Sequence, residues 1–194
     1  MAEIAPEDLS AEVLTRFGND DVAAQSAINA VLSSARRYCR WHVSPVRTGD
    51  VLTLDGTGGR VLDIPTGNLT ALTGVTENAS VVDVATLSWS KNGCVRKRSG
   101  ACWSSWYQSI VATITHGYTE VEAADWRRAI IEMVGDVSLR LTDVDSIVGP
   151  LKRKKVDDVE YEWSESDLVT AADNAVYAVT SVLDGYQLPS VIFF

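Results

Sequence analysis

Apolar residues recur at helical spacing over residues 6–39 and predict two amphipathic helices. Pro6 suits the first turn of the first helix, and Gly18 ends it. Asn19 is the expected N-cap of the second, longer helix. The apolar stripes of the two helices are Leu9, Val13, Leu14 and Phe17, followed by Ala24, Ala27, Ile28, Val31, Leu32, Ala35, Tyr38 and Cys39.

Between Pro45 and Tyr118 the pattern changes to short runs in which apolar and polar residues alternate. The turn signals DGTGG, TENAS, SKNG and RKRSGA separate these runs. In the run QSIVATITHGY, the residues Ile110, Ala112 and Ile114 fall on one face of a strand, and threonines make the other face more polar. We expect a compact antiparallel sheet or a small barrel.

The stretch VLTLDGTGGRVLDI, residues 51–64, places three glycines directly after an apolar run. A phosphate-binding loop needs a helix behind its glycines, whereas the residues that follow here read as another strand. Asp55-Gly56 is instead a strong hairpin signal. The glycines therefore predict a tight turn between two strands and no bound nucleotide.

Helical spacing returns after the β region. Thr119 and Glu122 have the spacing of a capping box, and a last helix is expected to begin near Thr170 and to stop at Asp184-Gly185. Between these helices the irregular, charged stretch 142–166 contains one plausible strand, Val156 to Trp163. The apolar faces are Ile130, Ile131, Val134, Val137 and Leu141, then Ala172, Ala175, Val176, Val179, Val182 and Leu183.

These elements predict an α+β fold, an antiparallel helical bundle with an inserted small antiparallel β-sheet or barrel. The predicted parts are N-terminal helices over 1–44, the β insertion over 45–118, and C-terminal helices with an apolar tail over 119–194. The first and third parts are expected to form one structural unit.

The composition of the chain narrows the classes of function that it can have. The chain has 194 residues, 46% hydrophobic residues and a formal net charge of −9, which argues against a protein whose whole surface grips nucleic acid. No apolar run approaches the length of a membrane span, and the acidic opening MAEIAPEDLS is unlike a secretory signal. The three cysteines are predicted to be buried or half-buried thiols of a reducing compartment. The basic run KRKK at 152–155 is interpreted as a solvated loop or as a charged seam against a neighbouring copy.

The sequence offers few candidate residues for catalysis or metal binding. His42 and His116 have no second histidine or carboxylate at ligand spacing, so neither a metal site nor a cofactor is predicted. No serine lies in a G-x-S-x-G elbow, and the sequence predicts no enzyme. A small hydrolase with a pocket around either histidine stays a rival interpretation, which loss of activity on changing either histidine would favour.

The β region is rich in aromatic residues, namely Trp89, Trp103, Trp106 and Tyr107, and Arg96 to Arg98 lie nearby. Packing in a core or an interface is the favoured interpretation. Stacking on sugars or on single-stranded bases is the alternative. A carbohydrate-binding β module therefore remains the second functional hypothesis, which glycan binding by a monomer would favour.

The order of the pieces is itself informative from about Ala24 to the end of the chain. The positions concerned are Leu54-Asp55-Gly56, the Leu62/Ile64-Pro65 step, Leu69 to Val75, Gly93, Gly100 to Trp103, and His116-Gly117-Tyr118 before a helix. In this order the chain resembles the head-to-tail adaptor (connector) proteins of tailed bacteriophages, and those of phages infecting actinobacteria look closest. The stretch 142–163 departs most from that pattern.

The resemblance implies a structural virion protein that is made in the host cytoplasm and lies in the neck. Such adaptors form a homo-oligomeric ring, usually of twelve copies, which docks under the portal protein, receives the tail or a stopper protein, and lets double-stranded DNA pass. From it we expect portal docking by the apolar tail, through Leu188, Pro189, Val191, Ile192, Phe193 and Phe194.

Two further surfaces are expected from the same resemblance. Acidic residues near helix starts are hypothesised to line the channel, because carboxylates repel DNA phosphates; they are Asp20, Asp21, Glu120, Glu122 and Asp125. The glycine loop and two tryptophans are hypothesised to contact a neighbouring subunit or the next ring; they are Asp55, Gly56, Gly58, Gly59, Trp103 and Trp106.

Overall fold

The computed structural model describes residues 3–142 and 165–188. Its elements are helices and antiparallel strands, so the predicted α+β class is confirmed. The helices are α1 (Ala11–Arg16), α2 (Asp21–Cys39), α3 (Ala124–Thr142), α4 (Glu165–Val176) and α5 (Thr180–Leu183). The strands are β1 (Arg47–Leu54), β2 (Val61–Asp63), β3 (Leu69–Glu77), β4 (Ser80–Val82), β5 (Leu87–Trp89), β6 (Cys94–Lys97) and β7 (Ile110–His116).

The chain divides into two compact units. The helical unit joins the described residues up to Tyr38 with those of Ala124–Gly185 that the structure describes. The sheet unit joins Cys39–Ala123 with the described residues from Tyr186 onward. The predicted strand at 156–163 and the basic run at 152–155 lie outside the described residues.

The first helical segment differs from its prediction. A 3₁₀ turn at Pro6–Asp8 ends at Leu9, whose ψ of 153° is extended, and Ser10 then caps the separate helix α1. The predicted cap of α2 is also one residue off, since Oδ1 of Asp20 accepts a hydrogen bond from Val22 N at 2.9 Å. Asn19 adopts a left-handed φ of 56° instead, because it belongs to the turn that joins α1 to α2.

The core of the helical unit comes from the predicted apolar stripes. Ile28 and Val31 of α2 are fully buried, as are Ile130 and Val137 of α3. Helix α3 contacts both α1 and α4. The stripes were predictable because each helix is long enough for the 3.6-residue period to show.

Glu3 adds a buried ionic contact to the helical unit. Its carboxylate, 4% exposed, lies 2.6 Å from the Arg36 guanidinium and accepts a hydrogen bond from Trp126 Nε1 at 2.8 Å. The chain before α1 is thereby tied to α2 and α3. Removing one partner of such a buried pair leaves an uncompensated charge, which costs about 3–5 kcal/mol of stability.

The sheet unit contains two antiparallel sheets, and no closed barrel forms among the described residues. The four-stranded sheet has the order β1-β7-β3-β4, and the three-stranded sheet has the order β2-β6-β5. Along β7 buried and half-buried residues alternate strictly, which confirms the predicted inward face of Ile110, Ala112 and Ile114. The inner sides of the strands enclose one apolar core that includes Leu62, Leu69, Val95 and Trp103.

Two of the predicted turns close hairpins. The TENAS signal joins β3 to β4, where Glu77 pairs with Ser80, and the SKNG signal joins β5 to β6. Both connections are short, which is the case in which local turn chemistry decides strand pairing.

Candidate functional site

The glycine loop does not close the predicted hairpin. Strand β1 before it pairs with β7, whereas β2 after it pairs with β6 in the other sheet. The loop instead runs beside residues 103–106. Gly56 N donates to Trp106 O and Gly58 N to Ser104 O, each at 2.9 Å, and Gly59 O accepts from Trp103 N at 2.7 Å.

The surroundings of Gly56 show why this position requires glycine. A Cβ at this position would lie 2.1 Å from Ser104 O and 2.8 Å from Ser109 Oγ. Those contacts are far inside van der Waals distance, so no other residue fits without moving one of the two segments. The glycines permit a close backbone approach between two loops, and the geometry provides no phosphate cradle followed by a helix.

Trp106 and Tyr107 project from the loop that packs on the glycines. We call residues 104–109 the aromatic loop. Its two large aromatic side chains are 73% and 86% exposed. Trp103 differs, because it is 2% exposed in the core of the sheet unit and donates from Nε1 to Val95 O. The predicted pair of contact tryptophans is therefore divided between the surface and the core.

Hydrogen bonds on both sides fix the backbone of the aromatic loop. Within the loop, Ser109 Oγ donates to Trp106 O at 2.8 Å and Trp106 N donates to Ser104 Oγ at 3.2 Å. Two further bonds reach outside the loop, from Gln108 N to Asp55 Oδ1 at 2.8 Å and from Ser104 N to Glu77 Oε1 at 2.7 Å. A loop held in this way presents its aromatic side chains with little ordering cost on binding. Asp55, predicted as a contact residue, thus serves the shape of the loop.

All five proposed channel residues are exposed. Asp20 caps α2, and Asp21 is the first residue of that helix. Thr119 and Glu122 form the predicted capping box, in which Thr119 N donates to Glu122 Oε2 at 2.9 Å and Glu122 N donates to Thr119 Oγ1 at 3.3 Å. The hydrogen bonds from the Thr119 amide and hydroxyl lower the pKa of Glu122. That carboxylate is therefore charged at neutral pH.

The start of the apolar tail contacts other residues of the sheet unit in the same chain. Tyr186 O accepts a hydrogen bond from Trp41 Nε1 at 2.6 Å, and its ring meets Tyr118 edge to face at 5.6 Å. Leu188 N donates to Cys39 O at 3.1 Å. The other predicted docking residues, Pro189 and Val191 to Phe194, lie outside the described residues.

The two histidines form one buried cluster in the sheet unit. His42 and His116 are 9% and 3% exposed, and their ring centroids lie 5.7 Å apart. His116 Nε2 lies 3.0 Å from Asp50 Oδ2, and His42 Nε2 contacts Pro45 O. Sequence reasoning missed Asp50, because 66 residues separate it from His116 and no motif links them.

The electrostatics of this cluster centre on Asp50. The hydrogen bond from His116 lowers the pKa of Asp50, burial opposes that shift, and positive charge at His116, Arg47 and His42 adds to it. The cluster fastens β1 to the end of β7. Both histidines are buried and the Asp50 side chain is 26% exposed, so the cluster has the geometry of a structural contact between the two strands.

Within the described residues, no group of three His, Cys, Asp or Glu side chains is placed to hold a metal ion. Nor does any helix described here have the length and apolar character needed to cross a membrane.

No protein-family model and no curated protein matches the chain. Solved structures do match it. The chain is similar to a chain in the neck of a native gene transfer agent (GTA) particle computed with C12 symmetry, with a TM-score of 0.53 and 12% identity over 100% of this chain and 96% of that chain. It is also similar to a chain in the neck of an empty GTA particle computed with C6 symmetry, with a TM-score of 0.51 and 11% identity over 100% and 96% of the two chains.

At this level of identity the likeness concerns the fold. No family match supports the narrower resemblance to connectors of actinobacterial phages. The chain shares its fold with these two chains from the necks of GTA particles.

Proposed function

We propose that this protein is a structural subunit of a head-to-tail neck, an adaptor that forms a ring between the portal protein and the tail or stopper and leaves a passage for double-stranded DNA. The observation that carries the proposal is the extent of the fold likeness, which covers all of this chain and 96% of each neck chain. A common motif alone would match only part of each chain. The protein is then a virion component made in the host cytoplasm.

The ring in this proposal contains twelve copies. The two similar neck structures were computed with C12 and C6 symmetry, and twelve subunits are compatible with both. Head-to-tail contacts between identical subunits close into a ring when their rotation divides the circle. Native mass spectrometry of the protein, alone and in purified particles, tests this. A twelvefold multiple of the 21.0 kDa chain is expected, and two-fold dimers or monomers in both samples would contradict it.

The contact with a neighbouring subunit or the next ring is assigned to the aromatic loop with Asp55, Gly56, Gly58 and Gly59 behind it. Trp106 would supply the buried contact, since exposed aromatic residues on rigid supports dominate many interfaces. Trp103 supports this surface from inside the sheet unit. Replacing Trp106 by Ala is expected to weaken assembly without lowering the melting temperature.

The channel lining is assigned to the exposed carboxylates Asp20, Asp21, Glu120, Glu122 and Asp125. Carboxylates let DNA slide, whereas a basic lining would bind phosphates and release counterions. A reconstruction of the assembled ring tests the assignment directly. Carboxylates on the outer surface around an arginine-rich lumen would overturn it.

Docking on the portal is assigned to the apolar tail from Leu188 to Phe194. Each large apolar side chain buried at such an interface contributes about 1.5–3 kcal/mol before ordering costs. Pro189 restricts the tail and reduces those costs.

One observation favours a second candidate, a carbohydrate-binding module. Trp106 and Tyr107 are adjacent and exposed on a fixed loop, as aromatic platforms for sugars are. Glycan-array binding by the monomer that is lost in the Trp106→Ala variant would support this function. Absence of glycan binding by the intact protein would remove it.

A further inference from the structure

Within the part of the chain that the structure describes, the four-stranded sheet has two open edges. Among the described residues, β1 pairs only with β7, and β4 pairs only with β3. Val51 on β1 is 59% exposed, and Val81 on β4 is 84% exposed. Natural edge strands are usually protected by lysine, proline or a bulge. The register shift between Arg47 and Asp50 protects the start of β1, whereas residues 51–54 carry none of these devices.

The hydrogen bonds of β7 show which backbone groups of β1 face its open edge. Thr113 O and Thr115 O accept from threonine hydroxyls of β3, at 3.1 and 3.0 Å, so these carbonyls point toward β3. Val51 lies opposite Thr113. Because the N–H and C=O of one residue in an antiparallel strand point to the same side, Val51 directs both groups away from β7. The same holds for Thr53, two residues further along.

The β3–β4 hairpin fixes the other edge. Its two-residue loop, Asn78-Ala79, has φ values of 50° and 62°, which is the conformation of a type I′ turn. In such a hairpin the closing pair, Glu77 and Ser80, exchanges both backbone hydrogen bonds, and the next pair does not. Val81 is in that next pair, opposite Thr76, so its N–H and C=O face the open edge.

The two edges match in direction and in face. Val81, Thr76, Val111 and Thr53 lie opposite one another in one row across the sheet, so their side chains share one face, and Val51 lies on that face two residues from Thr53. Four antiparallel strands also make β1 and β4 run in opposite directions. A second copy related by rotation can therefore continue the sheet with antiparallel pairing and correct alternation of hydrogen-bonded pairs.

We propose that the β4 edge of one copy pairs with the β1 edge of the next, so that the four-stranded sheet continues across each subunit boundary. This inference rests on the proposed ring and names the surface that closes it. Placing Val81 opposite Val51 also brings Asp83 to the end of β1 that carries Arg47. Both side chains are exposed and opposite in charge. Placing Val81 opposite Thr53 would set Asp83 against Val51, so charge selects the first register.

Cysteine cross-linking tests this pairing. The test protein is Val51→Cys/Val81→Cys in a background where Cys94 and Cys102 are serine. Both of these cysteines are exposed, so their predicted burial was wrong. Within one chain the two positions are three strand spacings apart, about 14 Å, which is too far for a disulfide. Mild oxidation of assembled protein is expected to give a ladder of covalent multimers up to the ring. Each single-cysteine variant should give none.

The outcomes separate this inference from the proposed function. A ring seen by native mass spectrometry without cross-linking would overturn the edge pairing and leave the ring in place. Dimers from Val51→Cys alone would show two-fold pairing of β1 with β1 and would also overturn it. Monomers in solution and in particles would end both proposals.

A second measurement does not depend on cysteines. Val51→Pro removes the N–H that faces the edge, a position at which an edge strand tolerates proline, and Val51→Thr is the matched control. The proline variant is expected to weaken ring assembly by about tenfold or more, since it loses one inter-subunit hydrogen bond and the close approach of the strands. Equal assembly of the two folded variants would contradict the pairing.

Hydrogen exchange identifies the occupant of the edge. The Val51 and Thr53 amides are expected to exchange rapidly in the monomer and slowly in the ring. If they are protected in the monomer and a chain ending at residue 188 loses that protection, the chain's own tail occupies the edge. The proposed pairing between copies would then be wrong.

Discussion

Gly56 is a position at which one added methyl group has a calculable effect. Gly56→Ala is expected to destabilise the sheet unit by about 1–3 kcal/mol, because the new Cβ would lie 2.1 Å from Ser104 O. Gly59→Ala is the matched control, since its Cβ would meet only Thr57 Oγ1 at 3.6 Å. Urea denaturation of both variants measures the difference. Equal midpoints would show that the two loops separate more easily than their hydrogen bonds indicate.

Asp50 gives the stability of the protein a specific pH dependence. Its pKa is lower in the folded protein than the ordinary value of about 3.9 in the unfolded chain, so its contribution is fully present above that value. The contribution is lost as pH falls through the folded-state pKa. Asp50→Asn is therefore expected to be less stable than wild type at pH 7, with a difference that shrinks below about pH 4.

Denaturation midpoints at several pH values test this expectation, with the exposed Glu120→Gln as control. A difference between wild type and Asp50→Asn that stays constant down to pH 2 would contradict the role assigned to the carboxylate.

Gly56 and Asp50 also show which structural roles could not be predicted from the sequence. Asp55-Gly56 satisfies the local rule for a hairpin, yet the reason for Gly56 is the backbone of Ser104, which no local rule can see. Asp50 likewise acquires its partner only when β1 lies beside β7. Residues whose role depends on distant contacts could not be assigned from the sequence, whereas the Thr119 and Glu122 capping box, three residues apart, could.

At the level of elements, period and turn chemistry predicted most of what is local. Helices α2 and α3 and strand β7 were visible because each is long enough to repeat its pattern. The division of seven strands into two sheets was not visible. It depends on distant pairing, since Val51 of β1 pairs with Thr113, 62 residues away, and Leu62 of β2 pairs with Val95, 33 residues away.

The tail is an element whose two parts are expected to behave differently. Removing residues 189–194 keeps the hydrogen bond from Leu188 N to Cys39 O, so the melting temperature is expected to stay unchanged. Attachment to portal-bearing capsids, measured by co-sedimentation, is expected to fall. Unchanged attachment would remove the tail from the portal interface, and a collapsed melting temperature would show that it belongs to the core.

A truncation at residue 185 provides the comparison for this experiment. It also removes Tyr186, whose carbonyl accepts from Trp41 and whose ring packs on Tyr118. That variant is expected to melt at a lower temperature than the one ending at residue 188.

At the scale of the whole molecule, the division into two units has a direct test. Residues 39–123 supply all seven of the strands that the structure describes, so this fragment is expected to fold on its own, with reduced stability because Tyr186 is missing. Residues 1–38 alone are expected to stay largely unfolded, since the apolar face of α2 then lacks the other half of the helical unit, Ala124–Gly185. Circular dichroism and thermal melting of both fragments measure this. An unfolded 39–123 fragment would show that the sheet unit depends on the helices.

The discontinuity of the helical unit also has a consequence for synthesis on the ribosome. Its two halves are separated by 85 residues, from Cys39 to Ala123, so translation at ~5–20 residues per second leaves α2 without its partners for about 4–17 s. Strand β7, an inner strand of the four-stranded sheet, is made only at the end of that interval, so Ile28 and Val31 face solvent or a chaperone while the sheet unit is still incomplete. A pause in translation before residue 124 would lengthen this exposure and favour aggregation of the nascent chain, whereas a pause after the last helix has emerged would do no such harm.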